Sequence, residues 1–139
     1  MDRMAEEGTL FTQFYAASGV CSPSRAAIMT GKLPGEVGIH DYLASKELNE
    51  RRGCVKYLDP EIPTVTRLLQ EAGFATVHFG KWHLGSPTGA PEPEQYGIDL
   101  HFDDSRSGPG GRVASSAQIA DATIAFMERH QDAASYVNA

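Results

Sequence analysis

From Thr64 to Gly85 the chain reads TVTRLLQEAGFATVHFGKWHLG, and this stretch decides the fold class. Val65, Leu68, Leu69 and Ala72 fall at helical spacing and Gly73 closes the run, which predicts a helix over 64–72. Phe74 to Gly80 (FATVHFG) follows as an aromatic and β-branched strand. Lys81-Trp82-His83-Leu84-Gly85 then sits just past the strand end, where open α/β sheets usually place their sites. The same alternation recurs outward. Ser115–Arg129 reads as a helix, with Ser115 and Gln118 in capping-box spacing and an apolar stripe of Ile119, Ala122 and Phe126. Ser135 to Asn138 reads as the start of another strand.

On the N-terminal side, Met1–Glu7 resembles the last turns of a helix stopped by Gly8, and Thr9–Ala16 (TLFTQFYA) is expected as a strand. Ser22 to Gly31 is expected as a short helix, with Ser22 as cap, Pro23 at the first helical position and Gly31 at the end. Lys32–Pro63 and Ser86–Arg112 read as irregular, the second as a long loop of the kind that carries function or lacks order. Helices alternating with strands imply an α/β chain with a mostly parallel sheet flanked by helices.

The 139 residues allow one domain. Twelve basic against 18 acidic side chains give a net charge of −6, which argues against a nucleic-acid binder and against a polybasic membrane anchor. No apolar run approaches the roughly 18 residues that span a bilayer. The N-terminus has no apolar core of the signal-peptide kind. Cys21 and Cys54 are too few for a disulfide framework, although a single bridge between them stays open.

The strongest chemical signal is Gly19-Val20-Cys21-Ser22-Pro23-Ser24-Arg25-Ala26-Ala27-Ile28-Met29-Thr30-Gly31. It places a cysteine at a helix N-terminus, where backbone N–H groups and the dipole favour anions. Arg25, one turn on, adds a forked cationic donor. A buried loop cysteine beside a surface arginine is the plain alternative for so short a pattern. The whole stretch, however, resembles the cysteine-type signature of the type I (formylglycine-dependent) sulfatase family. Gly73–Gly85 is similar to that family's second signature, and the lead-in from Ala5 to Ser18 is similar as well. The resemblance runs from about residue 1 to Tyr96-Gly97-Ile98-Asp99 and weakens afterwards.

The resemblance implies a partial alkaline-phosphatase-like fold and hydrolysis of a sulfate ester to alcohol and inorganic sulfate. It implies that Cys21 is oxidised to formylglycine, whose hydrate attacks sulfur. Arg25 would hold that hydrate and neutralise developing charge. Lys81 would bridge sulfate and hydrate, so it serves both catalysis and substrate binding. His83 would orient a hydrate hydroxyl and relay its proton. A calcium ion is implied as cofactor, with modified Cys21 as one of its ligands. The family's remaining metal ligands would lie outside residues 1–139, so the chain is expected to be a piece of the catalytic domain that lacks the first strand and the C-terminal part, inactive alone and without a tight calcium site. On that view Thr9–Ala16 and Phe74–Gly80 would be exposed sheet edges, with marginal stability. The partners implied are a sulfated small molecule or glycan and a formylglycine-generating enzyme, with no nucleic acid. A periplasmic or secreted setting is implied for a full-length member.

Other residues are weaker candidates. His40, in Gly38-Ile39-His40-Asp41-Tyr42, could line the substrate pocket or pair with Asp41 to stabilise its loop. His78 reads as a core histidine and Trp82 as packing. Asp103-Asp104 reads as a solvated turn rather than a metal site. Cys54 with His40 or His83 has no zinc spacing. Gly108-Pro109-Gly110-Gly111 lacks the strand and the Lys-Ser/Thr of a phosphate loop. Two further readings stand beside sulfate-ester hydrolysis: a phosphonate monoester or phosphodiester hydrolase with the same nucleophile motif, and a non-catalytic remnant or binding module.

Overall fold

The computed structural model describes residues 2–85, 89–102, 115–131 and 135–138. Along the chain run α1 (Asp2–Glu7), α2 (Cys21–Thr30), α3 (Lys46–Arg52), α4 (Val65–Glu71) and β1 (Ala75–Phe79). A single 3₁₀ turn (Pro93–Tyr96), β2 (Leu100–Phe102), α5 (Ser116–Arg129) and β3 (Ser135–Asn138) follow. The three strands form one parallel sheet in the order β2-β1-β3. Val77 faces Leu100 on one side and Val137 on the other. This is the α/β architecture expected from the alternation.

β1 is the central strand, paired on both sides. The expectation that Phe74–Gly80 forms an exposed edge is therefore corrected. Four of its five residues, Thr76 to Phe79, are buried, as befits a parallel strand covered on both faces. Its side chains alternate between two cores. Val77 and Phe79 meet Phe126 of α5, with Ala75, Ile119 and Ala122 packed around them. Thr76 and His78 fall on the other face, where Trp82 meets the His78 ring edge-on at 5.3 Å. That face belongs to the larger core, which joins Ala26 and Met29 of α2 to Ile39, Leu43, Leu58, Trp82, Tyr96 and Ile98. His78 and Trp82 are thus core residues, as their positions suggested.

Local signals explain the elements. Thr64 caps α4 by accepting from Arg67 N–H. Ser115 and Gln118 form a complete capping box on α5. Around Tyr96 the packing is polar as well as apolar. Its hydroxyl donates to the Leu58 carbonyl at 2.6 Å, and its carbonyl accepts from the Thr64 and Thr66 hydroxyls at 2.7 and 2.5 Å. Gly97 has φ 76, and a Cβ there would lie 2.3 Å from Arg67 Cα. Only glycine fits a left-handed residue pressed so closely on a helix backbone.

Further expectations are overturned. Thr9–Ala16 is not a strand: it is irregular and exposed throughout, and none of the strands among the described residues pairs with it. Lys32–Pro63 contains α3, whose KELNERR sequence shows no apolar stripe but does carry a Ser45 cap, an acidic first turn and a basic last turn. The loop expected from Ser86 contains the 3₁₀ turn and β2. In α2 the first helical residue is Cys21, extended Val20 takes the cap position without a side-chain bond, and Pro23 comes third. Ser22 is not the cap because its Oγ is occupied by Leu43 N–H at 3.0 Å. Cys21 and Cys54 are both free thiols. No helix among the described residues is long and apolar enough to cross a membrane. Asp103-Asp104 and Gly108–Gly111 lie outside the described residues.

Candidate active site

Two segments bring the site together: the start of α2 and the turn that leaves β1. Cys21 is the first residue of α2, half-buried, and no side chain caps that helix end. Pro23 has no N–H, so the amides of Cys21 and Ser22 are the ones left pointing out of the helix start. The partial positive charge of the ten-residue helix adds to them.

The turn after β1 bends twice through positive φ, at Gly80 (99°) and at His83 (54°). His83 is the one non-glycine residue with positive φ among the described residues. The left-handed region is uncommon for side chains larger than glycine, although histidine visits it more than most. The bends send Trp82 into the core, 5% exposed, and turn the His83 ring toward α2. Its Nδ1 lies 3.1 Å from Cys21 Sγ and its Nε2 lies 2.8 Å from the Leu43 carbonyl oxygen. A carbonyl only accepts, so Nε2 carries the proton and donates. In the neutral ring Nδ1 is then the acceptor that faces Cys21.

Arg25 also reaches the turn. Its guanidinium Nη1 donates to the Lys81 backbone carbonyl. This bond anchors the fork beside the helix start and ties α2 to the turn. The Lys81 side chain is exposed to solvent. A pocket of about 290 Å³ opens here, with Cys21, Arg25, Met29, His78 and Trp82 in its wall. Lys81 is not part of that wall.

The structure thus brings Cys21, Arg25, His83 and the Lys81 backbone together. It does not bring His40 to them. His40 is exposed, and its Nε2 donates to the Arg52 carbonyl at 2.9 Å. The expected pairing with Asp41 is replaced, because Asp41 engages Arg52 at 3.3 Å. Arg52 also donates to the Tyr42 hydroxyl at 2.9 Å, and its guanidinium lies 4.1 Å from that ring's centre. Reading the residues missed two participants. His78, assigned to the core alone, also forms part of the pocket wall. The Leu43 carbonyl, which holds His83, carries no side-chain signal in a sequence.

Calcium takes six to eight oxygen ligands. Among the described residues no three His, Cys, Asp or Glu side chains gather into a group able to hold a metal ion. Around Cys21 the neighbours are an imidazole and a guanidinium, which are not calcium ligands. The described side chains do not by themselves fit a calcium ion.

Comparison with known proteins identifies the family and the fold. The chain is 39% identical over 109 residues to an arylsulfatase of Hemicentrotus pulcherrimus, an alignment covering 72% of this chain and 18% of that protein. It is 45% identical over 106 residues to the N-acetylgalactosamine-6-sulfatase of Sus scrofa, covering 73% and 20% respectively. The chain therefore spans about a fifth of the length of these relatives. Among solved structures, it superposes on Ps i-CgsB in complex with k-i-k-neocarrahexaose with a TM-score of 0.65 at 21% identity, covering 89% of this chain and 34% of that one. At that identity the likeness speaks for the fold alone. The family model for sulfatases matches residues 1–131, and the chain belongs to the sulfatase family.

Proposed function

We propose that the chain carries the nucleophile end of a site that hydrolyses sulfate esters to alcohol and inorganic sulfate. One observation carries the reading: Cys21 Sγ, at the first residue of α2, lies 3.1 Å from His83 Nδ1 beside a pocket. Cysteine itself is not the reacting group in this reading. Its sulfur marks the position of a formylglycine hydrate oxygen, and a formylglycine-generating enzyme is the partner that makes the conversion. Once formed, the hydrate supplies one hydroxyl for attack on sulfur and a second through which sulfate is later released.

The chain's own residues act around that position. His83 Nδ1, with its lone pair toward residue 21, holds a hydroxyl there and takes up its proton. The Arg25 fork and the uncapped amides at the start of α2 offset negative charge as it builds on the sulfate oxygens. Lys81, whose carbonyl accepts from that fork, supplies an exposed cation on the solvent side. The apolar wall of Met29 and Trp82 suits the face of an aryl or sugar ring. The names of the arylsulfatase and N-acetylgalactosamine-6-sulfatase relatives support a sulfated small molecule or glycan as substrate.

Co-expression with a formylglycine-generating enzyme tests the reading. The expected result is hydrazide labelling of the peptide that contains residue 21, and its loss in Cys21→Ala. Labelling that is absent in the wild-type chain, with a Pro23→Ala control behaving identically, would refute it. Hydrolysis of an aryl sulfate beside a phosphodiester, measured on the completed protein, then identifies the bond that is broken.

A further inference from the structure

We propose that Asn49 is a positioning residue that sets the tautomer of His83 from a distance. Asn49 is the one fully buried residue of α3, a helix whose other residues are charged apart from Leu48 and lie at or near the surface. It is fully buried, so its carboxamide must find partners or destabilise the fold. Both partners belong to one residue: Asn49 Oδ1 accepts from Ala44 N–H at 2.8 Å and Nδ2 donates to the Ala44 carbonyl at 3.3 Å. The reverse orientation of the amide would set donor against donor, so the assignment is forced. Ser22 holds the preceding residue, accepting Leu43 N–H on its Oγ at 3.0 Å. The peptide between Leu43 and Ala44 is thereby fastened from both sides, and its carbonyl is the group that accepts His83 Nε2–H at 2.8 Å.

A fixed acceptor at Nε2 leaves the lone pair on Nδ1, toward residue 21. With the peptide free to rotate, that acceptor turns away and the Nδ1–H tautomer becomes competitive, with a donor where the hydroxyl at residue 21 needs an acceptor. The value of this to catalysis rests on the function proposed above. The tautomer itself does not, because it can be read in the unmodified chain.

Nitrogen-15 NMR of histidine-labelled protein distinguishes the two tautomers directly, with the His83 signals assigned by their loss in His83→Gln. The wild-type chain is expected to show Nε2–H with unprotonated Nδ1. Asn49→Ala and Ser22→Ala are each expected to raise the Nδ1–H form several-fold. Asn49→Asp keeps the shape and the acceptor for Ala44 N–H but loses the donor to the Ala44 carbonyl, and should retain more of the wild-type pattern than Asn49→Ala. Should Asn49→Ala not fold, Ser22→Ala and Asn49→Asp still carry the test. A wild-type ring protonated on Nδ1, or an unchanged tautomer in the folded variants, overturns the proposal. A residue that merely supported the fold would lower stability without moving the proton between the two nitrogens.

Discussion

Thr9–Ala16 and Ala75–Phe79 are built from the same kind of residue, aromatic and β-branched, and they end as opposites. In the first, Phe14 and Tyr15 are 83% and 82% exposed, and the Phe14 ring lies 5.8 Å from that of Phe11, itself exposed. In the second, Val77 and Phe79 are 0% and 2% exposed at the centre of a sheet. Strand propensity measures how well a residue fits a pleated, half-buried surface, so it is realised only where neighbours supply that surface. β1 has a strand on each side, α5 on one face and the Trp82–Tyr96 cluster on the other.

Substitutions can sharpen that contrast, and the largest effect belongs to β1. Phe79→Ala removes a ring packed edge-on against Phe126 at 6.4 Å. It should cost about 3–5 kcal/mol in chemical denaturation. A smaller loss would mean that α5 closes over the gap. Tyr96→Phe comes next. It deletes the hydroxyl that satisfies the buried Leu58 carbonyl, for about 1–2 kcal/mol.

A pH effect at the strand's margin is weaker still. Burial pushes the Asp99 carboxyl up, but bonds from Thr76 N–H, from the Gln70 amide and from the Thr76 hydroxyl outweigh it and hold the group below its ordinary range. A depressed folded value means that the contribution is present above the unfolded value, about pH 4, and is lost as pH falls through the folded one. Asp99 is exposed and water screens it, so the loss should be a few tenths of a kcal/mol. Asp99→Asn should remove that part of the acid sensitivity, which denaturation curves at two pH values would show. Smallest of all, Phe14→Ser with Tyr15→Ser should leave stability within about 0.5 kcal/mol. A larger loss would show that the segment is packed in solution, and the contrast with β1 would fail.

Much of this is legible in the sequence. α4, β1 and α5 announce themselves because caps, apolar period and closing glycines all agree, at Thr64 and Gly73 and again at Ser115 with Gln118. α3 was hidden because its register is polar and its single buried residue is an asparagine. β2 was hidden because three residues carry too little pattern. At the site, Cys21, Arg25 and His83 could be singled out from their motifs. The carbonyl that orients His83 lies 40 residues away and belongs to the backbone of Leu43, and every residue has a carbonyl. Side-chain chemistry is written in a sequence, whereas the use made of a particular peptide group is decided by packing.

The close approach at Gly97 has one more effect. With no room between it and the Arg67 backbone, α4 and the chain leading into β2 share a joint without slack. Thr64 and Thr66 fasten that joint through the Tyr96 carbonyl, and the Thr76 hydroxyl fastens it again through the carbonyl of Gly97. A displacement of α4 must therefore carry the edge strand along with it. The end of the helix and the approach to the edge strand thus meet at a residue that has no side chain to hold them apart.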